Sequence, residues 1–545
     1  MKLPRLLLAG AVAGATLVGS AWAGVGLVPV TTPRPPADPI SAAGDPADGP
    51  GAAQKATATP VPAGQFLVGA DVASIAPDPE RWQTEGCPQL DQGQQGFVEH
   101  LATPLAEQGR VGWPVAPDCV YLGGYGIGPA RAATSWDQEN GVNVRTLAVS
   151  NGTDTVVWQM VDLVGFFSHY RPELCDGCGI RGIREAISAE TGIPVENVAV
   201  GSTHTHGGAD GYGAWGGLPS WYREQLRDVI VQSALDAVAA QQPATIEVGS
   251  VDARGFNNER RDHYFSTPDY GAVWLQARAL PQKKKDAGAV LATLVNYAAH
   301  PTVLGAQPMM HGDWPATAAK ALGDQLGGVG LVIEGGLGNV SPRGGSSGDA
   351  MVRVVEMGQA FAAEIGRDIA RGGTPLESNA ITAVSAEVVH PVTNAALAGL
   401  GVAGLLDRDF LPGEAAGGPG AYEFRKSLNG ARPCASSSPL TIKTEISGFR
   451  IGELTVLTAP GEIFSAVSLV LKSKSAGTAQ TMVFGQTQDS LGYIIQSFEV
   501  DPIGGYGEYV PGAELAEYEE TFMLDRCFGD HVVQVALQVA EQLRG

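Results

Sequence analysis

At 545 residues with 44% hydrophobic side chains, the chain can bury a large core as one large domain or as two to four smaller ones. Its formal net charge of −22 and pI near 4.8 exclude a nucleic-acid or anionic-membrane partner held by charge, while leaving transient contact with a membrane or micelle surface open. Six cysteines, an even number, suit an oxidising compartment in which they pair.

Residues 1–23 combine a basic start (Lys2, Arg5), an apolar stretch from Leu6 to Val18 and Ala-Trp-Ala ending at Ala23, the pattern of a secretory signal peptide. It is short for a membrane span and no other apolar run reaches about 18 residues, so a soluble, exported protein is expected. Residues 24–63 are rich in Pro, Ala, Thr and Gly without apolar periodicity and read as a disordered linker. Residues 64–545 then form the expected folded domain, opening near Phe66-Leu67-Val68. Spacing does not fix cysteine connectivity; the pairing taken is Cys87 with Cys119, Cys175 with Cys178 and Cys434 with Cys527. Cys175-Asp176-Gly177-Cys178 also fits a redox or zinc CxxC, but no second CxxC accompanies it.

Ile180, Ile183 and Ile187 recur on one helix face, and Gly192 and Pro194 stop that helix before a buried strand, Val198-Ala199-Val200. Leu226, Val229, Ile230, Ala234, Ala237 and Val238 mark a second helix; others are expected over 315–323, 352–371 and 530–543. Short apolar runs lie between them: Ile246 to Val248, Val290 to Tyr297, Leu331 to Glu334, Leu454 to Thr458 and Met482 to Gly485. This interleaving implies an α/β fold, a layered mixed sheet with helices on its faces in a single large catalytic domain. The Gly- and Ala-rich stretch 395–421 fits either an ordered or a mobile loop.

Each run gives way to residues capable of chemistry. The strand at Val198 leads to SerThrHisThrHisGlyGly, where His204 and His206 share a side by the two-residue period of a strand. Two imidazoles beside glycines make a candidate metal corner, and equally a polar strand end. Later runs lead to His300, to Asn339 and Ser341, to Glu462 and to Tyr493. In open α/β sheets the ligand crevice lies outside the carboxyl ends of the strands, so these distant segments can converge.

The ordered set GSTHTHGG, NYAAHPTVLG, HGDWPA, GLGNVSP, APGEIF and a late Gly492-Tyr493 resembles the neutral, non-lysosomal ceramidase family of zinc amidohydrolases, over most of the chain from about residue 66. The resemblance implies an exported amidase that uses a zinc-activated water to cleave the amide of ceramide or a related N-acyl lipid into a fatty acid and an amine. It implies one Zn²⁺ per chain on His204, His300, Glu462 and Tyr493, a ligand set compatible with zinc chemistry. It makes His206 the general acid, and Tyr493 with an arginine of FNNERRD, Arg260 or Arg261, the oxyanion donors. Ser341 matches the family's active-site serine and is assigned to orienting water or substrate; no GxSxG elbow surrounds it. Asp313 either orients His300 or His206 or caps the helix that follows it.

Structural roles stand beside these assignments: Ser341 before Pro342 as a turn residue, Glu462 as a cap for a helix starting near Ile463, Tyr493 as a packed phenol. The chain departs from the better-known ceramidases at Asn339, where they carry aspartate, and after Tyr493, where Tyr518 matches a second family tyrosine loosely; their immunoglobulin-like domain is expected to be absent. Alternatives are a zinc hydrolase of another amide and a silent exported binding protein on the same fold. A TIM-barrel metal hydrolase would need eight regular strand–helix units, which the sequence lacks.

Overall fold

The computed structural model describes residues 61–85, 119–126, 131–261, 267–281, 288–305, 307–402, 406–413, 438, 440–475, 480–500 and 518–544. The expected signal peptide and all but the last three residues of the expected linker lie outside the described residues.

Two mixed sheets stack face to face. The larger runs Val329–Glu334, Val290–Tyr297, Gly271–Ala279, Gln242–Asp252, Phe66–Ser74, Asn143–Ser150, Thr155–Val161, Val198–Ser202, with Thr374–Pro375 beside Gln242–Asp252. The smaller runs Ile381–Pro391, Leu440–Ile451, Leu454–Thr458, Gln480–Phe484, with Leu411–Pro412 beside Leu440–Ile451. Three of these neighbouring pairs are parallel: Val290–Tyr297 with Val329–Glu334, Thr155–Val161 with Val198–Ser202, and Leu454–Thr458 with Gln480–Phe484. A parallel pair needs a crossover, supplied respectively by the helices Asp313–Leu326, Ile180–Thr191 and Ser465–Lys474.

The apolar faces follow from this layering. Trp158 meets Phe449 and Phe484 edge-on between the sheets, centroids 5.8 and 5.4 Å apart; burying each large side chain of this core contributes about 2–3 kcal/mol relative to exposure. Ile180, Ile183 and Ile187 are buried with the Ser220–Ala239 helix on one half of the large sheet's outer face, and Asp313–Leu326 and Ala350–Ile369 cover the other half. Ser465–Lys474 and Phe528–Gln542 close the outer face of the small sheet. The result is an α/β fold with helices outside both sheets. Gly192 ends the first helix with φ +73°, a left-handed cap that glycine adopts without a Cβ clash.

The stretch 395–421, expected as loop, begins with a helix, Ala395–Val402, and includes the short strand Leu411–Pro412; residues 403–405 and 414–421 lie outside the described residues. Cys175 and Cys178 form a disulfide, Cα atoms 5.6 Å apart, so this CxxC is a local bridge. Cys119 and Cys527 are also disulfide-bonded; the pairings expected for them fall on Cys87 and Cys434, outside the described residues. Among the described residues no helix is long and apolar enough to cross a membrane.

The last helix is tied to the small sheet through buried histidines: His390 Nδ1 lies 2.9 Å from His531 Nδ1, and His390 Nε2 lies 3.2 Å from Asp525. Burial, then the neighbouring His390, lowers His531 to about 3. An unfolded histidine titrates near 6.5, so between about 6.5 and 3 the unfolded chain binds the extra proton, and stability present above that window is lost as pH falls through it. At pH 5 the cost is about 2 kcal/mol. The melting temperature should drop on acidification from pH 7 to 5, and drop less in His531→Phe; an unchanged pH slope in that variant would refute the assignment.

Candidate metal centre

The carboxyl ends of the three parallel pairs meet at one place because the segment Val483–Gln488 bonds to both edges of the large sheet. At one edge Gly485 N donates to Glu334 O at 2.8 Å, and Val483 N donates to Asn296 Oδ1 at 3.0 Å. At the other, Ser202 N donates to Gln486 O at 3.0 Å and Gln488 N to Val200 O at 2.9 Å. The chain ends that carry His204 and His300 are thereby drawn together.

His204, His206 and His300 are all buried, and their ligand nitrogens lie within 4.8 Å of one another. Each Nδ1 sits on a backbone carbonyl: His204 on Val164 O at 2.6 Å, His206 on Gly124 O at 2.6 Å, His300 on Leu337 O at 2.9 Å. A carbonyl only accepts, so each Nδ1 carries the proton and each Nε2 presents a lone pair, the tautomer of a metal-binding imidazole. Glu462 Oε2 lies 3.2 Å from His204 Nε2 and 3.4 Å from His300 Nε2, and is not within 4.0 Å of His206. Burial pushes the Glu462 carboxyl up, and a positive charge at His204 and His300 holds it well below the usual range. Burial, then the Arg260 charge, lowers His300 to about 4; burial and the two neighbouring histidines hold His206 well below its ordinary value. His206 Nε2 and Glu462 Oε2 have no hydrogen-bond partner although buried. Orphaned polar atoms converging in a dry site are costly unless a cation takes them, so the set fits a zinc ion chemically.

Glu462 and Tyr493 sit opposite each other in a two-residue parallel ladder, Glu462–Ile463 with Tyr493–Ile494. Helix Ser465–Lys474 starts three residues later with Phe464 at its N-cap, so Glu462 is no cap. Tyr493 Oη accepts from Arg260 Nη2 at 2.8 Å, and burial keeps the phenol protonated well beyond its ordinary range. Arg261 turns instead to Glu520 and to the face of Phe464, so of the two arginines of FNNERRD it is Arg260 that meets Tyr493. Asp313 touches neither His300 nor His206: its carboxylate accepts from Val303 N, Leu304 N and Trp314 N, pinning the turn after His300.

Ser341 follows Val340, whose carbonyl accepts from His300 N at 3.3 Å. It lies in a short ladder opposite Asn258, outside the cavity lining, with no side-chain hydrogen bond to a described residue. Asn339 uses both ends of its amide, donating to Glu259 at 2.6 Å and accepting from Ser465 N at 2.7 Å. An aspartate there would set two carboxylates against each other, so the neutral amide of Asn339 is matched to Glu259.

Beside the imidazoles opens a cavity of about 140 Å³ lined mostly by apolar groups, among them Phe167, Trp215, Leu397, Leu400 and Phe522, with Tyr493 and Tyr518 in its wall. Tyr125 stacks on His206, centroids 4.5 Å apart. Sequence reasoning missed Tyr125, Gln486 and Glu519; contacts made by backbone carbonyls or by residues with no motif leave no pattern to read.

No sequence-family description matches this chain, and no curated protein matches it in sequence. Solved structures do. A neutral ceramidase from Pseudomonas aeruginosa aligns over 88% of this chain and 74% of its own, with TM-score 0.57 and 16% identity. A ceramidase complexed with C2 aligns over 88% and 75%, with TM-score 0.59 and 15% identity. At such identity the shared property is architecture: this chain has the neutral ceramidase fold.

Proposed function

We propose that the chain is an exported, zinc-dependent amidohydrolase that cleaves an N-acyl lipid, ceramide or a close relative, into a fatty acid and an amine. One observation carries the reading: the unpartnered ends of His206 and Glu462 converge with His204 and His300 beside an apolar cavity. Export is supported by the signal-like residues 1–23 and the Cys175–Cys178 disulfide.

His204, His300 and Glu462 would hold the ion, with Tyr493 beside them; His206, outside the 4.0 Å reach of Glu462, is left for proton transfer. Bound zinc supplies Lewis acidity and activates water near neutral pH. With Nδ1 fixed on Gly124 O, His206 takes and returns protons at Nε2, and its lowered basicity keeps it neutral until the reaction provides one. It accepts the proton of the attacking water and passes it to the departing nitrogen. Tyr493 faces the cavity with Arg260 donating to its oxygen, so its own O–H is directed at the developing oxyanion; such a donor contributes about 10²–10³ in rate. The apolar wall receives the hydrocarbon chain. Tyr518 and Val402 are exposed at 41% and 60%, one in the cavity wall and one two residues beyond Leu400; they suit transient contact with a lipid surface. The mutual approach of all three imidazoles favours a second reading in which His206 also binds the metal.

Purified protein should contain about one zinc per chain and release amine from fluorescent N-acylsphingosine; N-acyl amino acids test for a different amide. His204→Ala should lose the metal. His206→Ala should keep it and lose about 10²–10⁴ in turnover, whereas loss of zinc there establishes the second reading. Active zinc-free protein would sink the mechanism, and zinc-loaded protein inert on every N-acyl substrate would indicate a silent binder. Ser341→Ala should retain turnover within about tenfold, since it stands outside the cavity wall; a loss like that of an oxyanion donor, about 10²-fold or more, would restore it to substrate orientation.

A further inference from the structure

Arg260 and Arg261 are matched in order by Glu519 and Glu520: Arg260 Nε donates to Glu519 Oε1 at 2.8 Å and Arg261 Nη2 to Glu520 Oε1 at 2.9 Å. The glutamates belong to the one-turn helix Tyr518–Thr521, whose Tyr518 lines the cavity and accepts from Gly126 N at 2.8 Å. Glu519 is 5% exposed. The Arg260 guanidinium also donates through Nη2 to Gly338 O at 2.7 Å and to Tyr493 Oη at 2.8 Å. Three anchors thus fix one planar fork, and only one of them, Glu519, is an anion. Glu462 stands opposite Tyr493 in their parallel ladder, beside the phenol that Arg260 contacts, and its Oε2 has no hydrogen-bond partner. A guanidinium released from Glu519 has a second carboxylate to turn to, and bidentate pairing there would occupy the oxygen aimed at the histidines.

We propose that Glu519 is a positioning residue that holds Arg260 on the Tyr493 hydroxyl and away from Glu462, so that one buried carboxylate next to the wall residue Tyr518 sets both oxyanion support and the availability of the Glu462 oxygen. This rests on the zinc amidase reading and adds a residue that never touches substrate. Its activity-independent signature is a rescue. Zinc affinity, read by competition with a chromogenic chelator, should fall about tenfold or more in Glu519→Gln and return to within about twofold of wild type in Arg260→Ala/Glu519→Gln, because the intruding guanidinium is gone. Glu519→Asp, which keeps the charge, should stay near wild type. In turnover, Glu519→Gln should lower kcat at little changed KM, and the double variant should be no slower than Arg260→Ala. Equal loss of zinc in the single and double variants would show a merely structural role and overturn the proposal while leaving the amidase reading intact. Unchanged zinc affinity and kcat in Glu519→Gln would overturn it likewise. Wild-type protein that binds no zinc would overturn both.

Discussion

The seam along Val483–Gln488 is the constraint on which the centre depends. The two edges of the large sheet each end in a parallel pair, and parallel pairs direct their following loops to the same side. Without a bridge those edges would lie a whole sheet apart. The bridge uses backbone hydrogen bonds on both flanks and tolerates little bulk: a Cβ on Gly201 would lie 2.6 Å from Thr487 Oγ1, and one on Gly485 would lie 2.5 Å from Gly335 O. His204, Gln486 and Gln488 take positive φ values of 61°, 51° and 73° there. Non-glycine residues in that region cost on the order of 1–3 kcal/mol each and persist where the surroundings over-determine them.

Electrostatic order follows from the seam. Three loops bring the carbonyls of Val164, Gly124 and Leu337 to the site, and each carbonyl fixes the tautomer of one imidazole. Glu462 follows the small-sheet strand Leu454–Thr458, so the centre joins both layers. Around it the secondary contacts are charged or doubly bonded: Asn339 links Glu259 to the start of the Ser465 helix, and Asp313 ties three backbone amides. With each Nδ1 taken by a carbonyl, each imidazole turns its Nε2 inward.

Much of this was legible along the chain because local rules wrote it. Isoleucines at helical spacing marked Ile180–Thr191, Gly192 marked its end, and unbroken apolar runs marked Val290–Tyr297 and Leu454–Thr458. The motif order pointed to the ceramidases, whose architecture the fold shares at 15–16% identity; so low an identity leaves the motifs as islands. The helix Ala395–Val402 was hidden because glycine and alanine carry no clear periodicity, and its place is settled by packing on the small sheet. Arg260 and Arg261 are alike in sequence. Only their partners across the fold, Tyr493 for one and Phe464 with Glu520 for the other, set them apart.

By itself, then, the sequence determined the alternation of strands and helices and put a chemically capable residue at the end of each strand, since both depend on neighbours a few positions apart. The tertiary structure decided that the described strands divide into two stacked sheets and three short ladders, that His206 stands with His204 and His300 but beyond the reach of Glu462, and that Ser341 stays outside the cavity. Those distances are fixed by contacts between segments hundreds of residues apart, where no local period carries information.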